Sequence, residues 1–335
     1  MVKLPVEMQA QAEMRQEFGE RVEFNAPLAR LTSARLGGPA DALVSVNSSV
    51  ELAEAAAWRW SHHLPWIILG GGSNLLVSDA GVRGVVVLNR ARQVEFDRAS
   101  VEPSAWAESG ANFGLLARQA AAYGLAGLEW AVGIPGTVGG AVVGNAGAHG
   151  ADMASNLMVA EILQHEGCEQ LIMGGQEYGE QWPVGRLEYG YRSSILKRAS
   201  VHGRGASACE YVVLRAQLRL AHSSQQVVQE QMDGFSEHRR RTQPPGATMG
   251  SMFKNPPGDY AGRLIDTAGL KGSVSGDAQI SPVHANFFIN RGQATATDFY
   301  RLIKLAQQAV LEQTGIRLEL EIELVGEWEG LGDGK

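Results

Sequence analysis

The sequence predicts an α/β protein of more than one domain, and three observations carry that prediction. Over the first ninety residues strand-like apolar runs alternate with helix-like periods, as in a small α/β unit. Two glycine-rich segments, at 70–74 and 133–150, interrupt these patterns where no core element gains from glycine. A well-marked amphipathic helix near the C-terminus lies between two strand-like runs, 285–290 and 318–326. At 335 residues the chain has room for two or three domains.

Residues 6–18 are strong helix formers, with Val6, Ala10, Met14 and Phe18 in a stripe at i, i+4 spacing and Gly19 as a stop. Gly37, Gly38 and Pro39 mark a turn before a strand ending at Val46. Ser49 is placed as the cap of a helix through Leu52, Ala56 and Trp60, ending near His62 and His63, which read as solvated end residues. Trp66–Leu69 reads as a buried strand running into Gly70–Gly72, and Gly84–Asn89 as another strand. Short strands are expected between Gln93 and Glu108. A helix from Ala111 to Tyr123 is expected to bury Leu115, Leu116, Ala120 and Tyr123, with Gly124 as its stop. Residues 155–185 read as short strands and turns, with a turn at Gly174-Gly175. Tyr211–Leu220 alternates cleanly, Leu214, Ala216, Leu218 and Leu220 against Arg215, Gln217 and Arg219, as a half-buried strand does.

A composition change at 221–225 marks a boundary. Ser223 and Gln226 fit a capping box for a helix carrying Val227, Val228, Met232 and Phe235 and ending in Arg239-Arg240-Arg241. Thr297 is placed as the cap of the C-terminal helix, whose buried face is Phe299, Leu302, Ile303, Ala306 and Val310 and whose stop is Gly315. Leu318–Gly326 reads as one strand with Glu319, Glu321 and Glu323 on a single face. The organisation expected is an N-terminal helix (1–20), units at 21–90, 91–220 and 221–327, and a frayed tail (328–335).

Composition, with 44% hydrophobic and 19% charged residues, is that of an ordinary globular protein. A net charge of −7 argues against nucleic acid as a partner, so a phosphate-bearing ligand has to be met by local groups. The two cysteines, Cys168 and Cys209, form no Cys/His cluster, so no structural metal is expected and both read as ordinary thiols. No signal peptide and no membrane-length apolar run is seen, and the expected compartment is the cytoplasm.

The segment GIPGTVGGAVVGNAGAHG, residues 133–150, holds seven glycines. Glycine at that density serves a backbone that turns sharply or approaches a ligand, and free N–H groups there can cradle an anion. A tight turn packed against another element is the other reading. The second segment, LPWIILGGGSNLLV, runs from a strand into glycines, Ser73 and Asn74. It has neither the G-x-G-x-x-G spacing nor a GK[ST] motif. Two unrelated cradles suggest one extended ligand gripped from two sides.

Three further segments carry polar residues that folding does not demand. In YGYRSSILK, Arg192 sits among apolar and small residues and can hold a carboxylate or phosphate; it can equally be a surface arginine. In GSMFKNP, hydroxyl, cation and amide crowd a turn, which helix capping also explains. In LELEIELVG, three carboxylates at alternate positions make either a solvated face or, lining a cleft, an acid, base or orienting group.

Taken in order, LGGPAD, LGGGSNLLV, GLEWAVGIPGTVGGAVVGNAGAHG, YRSS, QPPGATMGSMFKNP, AGRLIDTAGLKG, GDAQISPVHANFFIN and LELEIELVG resemble the UDP-N-acetylenolpyruvoylglucosamine reductase family over about residues 20–326. The resemblance implies a vanillyl-alcohol-oxidase-type FAD-binding fold of two α/β subdomains with a C-terminal α+β substrate domain. It implies FAD as cofactor, NADPH as hydride donor, and reduction of an enolpyruvyl to a lactyl ether in cytoplasmic peptidoglycan-precursor synthesis. Hydride would pass from flavin N5 to the vinyl CH2. Ser251 matches the family's proton donor, Arg192 the arginine at the substrate carboxylate, and Glu321 the acid beside it. Gly70, Gly71, Gly72, Ser73 and Asn74 would bind the cofactor with Gly133, Ile134, Pro135, Gly136, Gly139, Gly140, Asn145, Ala146 and Gly147. Tyr191, Arg239 and Asn255 match substrate-holding positions, with Lys254 beside them.

The chain departs from the family pattern at His149, where tyrosine is common, at Gly144 and at Val283. The form of the 127–141 segment resembles the family's second subtype. A monomer is expected, acting on a small nucleotide-sugar, with no nucleic acid, membrane insertion or metal. The alternatives are another flavin oxidoreductase of the superfamily and a non-catalytic flavin or nucleotide-sugar module.

Overall fold

The computed structural model describes residues 8–165, 179–202 and 210–328. Cys168, Cys209, Val6, the Gly174-Gly175 turn and the tail after Trp328 lie outside the described residues.

The first unit is a four-stranded sheet. Val22–Pro27, a strand the sequence reading missed, lies antiparallel at the edge beside Pro39–Val46; Val82–Asn89 and Trp66–Leu69 follow in parallel. Val85 and Val87 face a core with the helix Ser49–Ser61, while Val86 and Leu88 face a second cluster with Leu28 and Leu69. Both faces are covered, which explains the unbroken apolar run GVVVLN. The helix cap is Ser48, one residue before the position expected, and its side chain accepts from Glu51 N. Met14 and Phe18 of the helix Met8–Phe18 close the first core, as their spacing predicts.

The second unit is a five-stranded, wholly antiparallel sheet in the order Glu180–Pro183, Leu157–Gln164, Tyr211–Arg219, Ser104–Glu108, Val94–Asp97. Leu157–Gln164 is a full central strand where short strands were expected. Its internal Glu161 hides the pattern, and that carboxylate is paired with the cross-strand Arg215 at 2.5 Å. Leu214, Ala216, Leu218 and Leu220 are buried as the alternation predicts. The helix Phe113–Ala122 buries Leu116 and Ala120 as expected, but not Leu115 and Tyr123. Phe113, Leu116, Ala117 and Ala120 are buried, whereas Leu115 and Tyr123 are about half exposed. The helix Gln225–Thr242 is capped by Ser224 rather than Ser223, and it buries Val228 and Met232 in this second core.

The third core gathers the helices Ala261–Thr267 and Ala296–Thr314 and a small sheet of Val274–Ser275, Ala278–Ile280 and Phe288–Asn290. Leu36 and Leu76 of the first unit also enter it. Phe299, Leu302, Ile303, Ala306 and Val310 are all buried as predicted. The long helix is capped by Thr295 in a capping box with Asp298. Thr297, the cap expected, is the second residue of the helix and donates its hydroxyl to Asp79 at 2.6 Å. Asp79 also accepts from Ala296 N and Thr297 N, at 2.8 and 2.9 Å. A first-unit carboxylate thus caps a third-unit helix, where its charge also meets the positive end of the dipole. Asp79→Ala is expected to lower unfolding stability by about 1–2 kcal/mol, read from the denaturant midpoint at unchanged slope.

Leu318–Gly326 is not one strand. Leu320 bridges to Phe253, the chain bends at 321–322, and Glu323–Val325 then pairs in parallel with Leu75–Val77 of the first unit. Changing partners mid-run breaks the alternation, so the three glutamates do not share one environment. Their side chains are 73%, 15% and 52% exposed at Glu319, Glu321 and Glu323.

Candidate active site

The two glycine segments meet. A Cβ on Gly71 would lie 2.8 Å from the Gly136 Cα, and one on Gly70 would lie 2.6 Å from Thr137 Oγ1. Only backbone fits at this approach, which is the physical reason for glycine here. Ser73 Oγ completes the contact by donating to the Pro135 carbonyl at 3.2 Å. The N–H groups of Gly71, Gly72 and Ser73 find no acceptor among the described residues. Gly140 and Gly144 have almost nothing of the protein against the position of a Cβ. Part of the second segment is helical, Val138–Gly144, capped by Thr137. Glycine density did not exclude a helix, because Val138, Ala141 and Val142 give it a buried face.

The helix ends on Asn145, a non-glycine residue at φ 45°. The Asn145 carboxamide is spent on the protein: it donates to the Gly190 carbonyl at 3.0 Å and to Asp152 at 3.2 Å, and accepts from Ala154 N. Its side chain therefore anchors the next element. That element is a tight turn in which Gly190 and Ser193 exchange backbone hydrogen bonds at 3.0 and 3.1 Å. Tyr191 and Arg192 form its tip, and Arg192 is held at φ 52°.

Arg192 Nε lies 2.7 Å from Glu321 Oε1, with only 24% and 15% of the two side chains exposed. The Nε–H is not aligned along this contact, so it is an ion pair rather than an oriented hydrogen bond. Burial pushes the Glu321 carboxyl up from its ordinary range, while Arg192, Lys197 and Lys254 pull it back. Ser251 is fixed on the neighbouring run. It bridges to Phe287, while Met252 N donates to the Asn286 carbonyl and Glu321 N donates to the Met252 carbonyl at 3.0 Å. The buried Asn286 side chain grips both polar groups of Phe253, accepting from its N–H at 2.9 Å and donating to its C=O at 2.8 Å. Asn74 donates its amide to the Glu321 carbonyl at 3.1 Å, which ties the first glycine segment to the same run.

The other sequence candidates lie around this pair. Lys254 Nζ is 3.4 Å from Glu319. Tyr191 is exposed, and its hydroxyl accepts from Asn255 N at 3.5 Å. Asn255 Oδ1 accepts from Ala261 N at the start of the next helix. Arg239 lies against the second glycine segment: a Cβ on Gly133 would be 3.1 Å from its Nε. His149 stacks on Phe235 at 4.1 Å, and burial and the neighbouring Arg239 and His238 hold its pKa below the ordinary value. Sequence reasoning missed Asn286 and the anchoring role of Asn145. The NAGA and HANF motifs contain both residues, but Gly190, which Asn145 anchors, and Phe253, which Asn286 grips, lie 45 and 33 positions away.

Two family models match the chain. One, an FAD binding domain, covers residues 40–168; the other, described as UDP-N-acetylenolpyruvoylglucosamine reductase, C-terminal domain, covers 242–325. The UDP-N-acetylenolpyruvoylglucosamine reductase of Chloroflexus aggregans is 44% identical over 301 residues, 90% of this chain and 96% of the relative. The chain belongs to the UDP-N-acetylenolpyruvoylglucosamine reductase family. The reductase of Rubrobacter xylanophilus is 42% identical over 91% of this chain and 95% of its own. The crystal structure of the Thermus caldophilus reductase superposes with a TM-score of 0.72 at 35% identity, covering 91% of this chain and 99% of that one.

The chain is thus an FAD-dependent oxidoreductase, and its α/β FAD-binding fold with a C-terminal α+β domain is the one expected. The residues fit the cofactor on two counts. Converging glycine backbones with free N–H groups suit a pyrophosphate. The buried atoms His149 Nε2 and Thr248 Oγ1 have no hydrogen-bond partner among the described residues, so a ligand can satisfy them.

Proposed function

We propose that Arg192, Ser251 and Glu321 are the catalytic group with which this reductase converts UDP-N-acetylglucosamine enolpyruvate to UDP-N-acetylmuramate for peptidoglycan. The carrying observation is the buried Arg192–Glu321 contact at 2.7 Å on a run hydrogen-bonded to the Ser251 segment. When bound, FAD takes a hydride from NADPH and supplies it to the enolpyruvyl CH2. Hydride at that carbon leaves an electron pair on the adjacent carbon, spread into the carboxylate as an enediolate. Arg192 meets the growing negative charge with a fixed cation in a water-poor site, where such an interaction is worth most. Ser251 Oγ gives its proton to the carbon that bears the electron pair, completing the lactyl ether. Glu321, its carboxyl raised by burial and held against Arg192, keeps the guanidinium aimed at the substrate carboxylate.

The glycine segments hold the cofactor through backbone N–H groups. Tyr191, Arg239, Lys254 and Asn255 hold the substrate. In the division into cofactor units at 21–90 and 91–220 and a substrate unit at 221–327, the helix Gln225–Thr242 is the shared element. Its first half packs in the second core, and its end carries Arg239 to Gly133. The same reading makes the enzyme a cytoplasmic monomer.

The test is a visible spectrum of the purified protein without air. Flavin bands are expected to bleach on NADPH and return on the enolpyruvyl nucleotide-sugar. Bands that bleach and never return would remove the substrate from the reading. A protein that stays colourless with added FAD would remove the cofactor.

A further inference from the structure

Beside Arg192 and Glu321 lies a cation to which the reading above gives no role. Lys197 stands in the first turn of the helix Ile195–His202. Lys197 N donates to Ser194 Oγ at 3.1 Å, and Ser194 Oγ donates to the Val143 carbonyl at 2.6 Å. Ser194 is wholly buried, so the start of this helix is fastened to the glycine-rich helix Val138–Gly144. The Lys197 side chain is only 13% exposed, and its Nζ reaches Glu323 Oε1 at 3.9 Å.

A lysine is seldom buried to this degree without a paired charge. Glu323 alone is a weak reason for it, being half exposed, distant and able to rely on water. The charged groups that face Lys197 are Glu323, Glu321, Arg192 and Lys254; those that face Glu321 are Arg192, Lys197 and Lys254. Three cations thus interleave with three carboxylates: Lys254 with Glu319, Arg192 with Glu321, Lys197 with Glu323. Glu321 is the middle and least exposed of the three carboxylates, and the charges of all three cations bear on it.

We propose that Lys197 is a positioning residue for the substrate half-reaction, its largely covered side chain pairing with Glu323 and so holding the 319–323 run, with Glu321, in register with Arg192. The proposal rests on the role given to Glu321 above. Removing one of three cations leaves burial less opposed, so the Glu321 pKa moves up whichever form of the group is active.

The experiment uses NADPH-reduced holoenzyme and follows its reoxidation by the enolpyruvyl nucleotide-sugar across pH. The proteins are wild type, K197M, K197R, E321Q and K197M/E321Q, with K197Q held ready if K197M does not retain flavin. E321Q is expected to abolish one limb of the wild-type profile. K197M is expected to move that limb to higher pH by about one unit or more, and K197R to restore it. In the E321Q background K197M is expected to add no further slowing, the signature of coupled groups. An unmoved limb in K197M, or equal slowing by K197M with and without Glu321, overturns the proposal. An E321Q enzyme with the wild-type profile overturns the role of Glu321, and the proposal with it.

Discussion

Ser251→Ala is expected to leave NADPH able to bleach the flavin while the return of colour with the enolpyruvyl nucleotide-sugar slows by about 10²–10⁴-fold, the range for loss of a positioned general acid. The separation of the two half-reactions is the informative part. Ser251 lies in a run pinned by the Phe287 bridge, the Asn286 clamp and the Glu321–Met252 hydrogen bond. None of these uses its hydroxyl, so alanine keeps the backbone and removes only the proton. An unchanged reoxidation rate would take Ser251 out of the mechanism.

Arg192→Ala is expected to slow the same reoxidation by about 10²–10³-fold, the usual cost of losing one preorganised group aimed at developing charge. It also leaves Glu321 buried without its nearest cation. Lysine is not expected to rescue it, because an ammonium lacks the planar fork that grips a carboxylate. The backbone provides a control. Arg192 holds φ 52°, a conformation that strains a side chain and suits glycine. Arg192→Gly is therefore expected to keep or raise thermal stability while losing the second half-reaction as severely as alanine does. Equal damage to both half-reactions would point to a flavin or folding defect.

Much of this site was legible before the structure, for a physical reason. Backbone approach demands glycine, so Gly70–Gly72 and Gly133–Gly140 announced themselves as contact surfaces, and they do touch. The buried stripe of the C-terminal helix and the alternation of Tyr211–Leu220 were equally plain. What stayed hidden lay in tertiary contacts. Glu319, Glu321 and Glu323 look equivalent as letters, and only the change of strand partner at Glu321 separates them. Asn145 reaches the Gly190 carbonyl and Asn286 the Phe253 backbone, both distant in sequence, so no local spacing announces these two contacts. Helix caps at Ser48, Ser224 and Thr295 were each missed by one or two residues, since several hydroxyls compete at each start.

The return of Glu323–Val325 to Leu75–Val77 bears on the order in which the molecule can be made. The first glycine segment leaves the ribosome early, yet Asn74 acquires its partners, the Glu321 carbonyl and Glu323 N–H, only from residues translated some 250 positions later. Contacts of that separation close last in folding. A nascent chain can assemble the parallel strands of the first unit at once, but the edge at Leu75–Val77 stays open until Glu323–Val325 has been made. Arrival of this late strand, rather than emergence of the cofactor domain, is then the moment at which the reaction centre comes together.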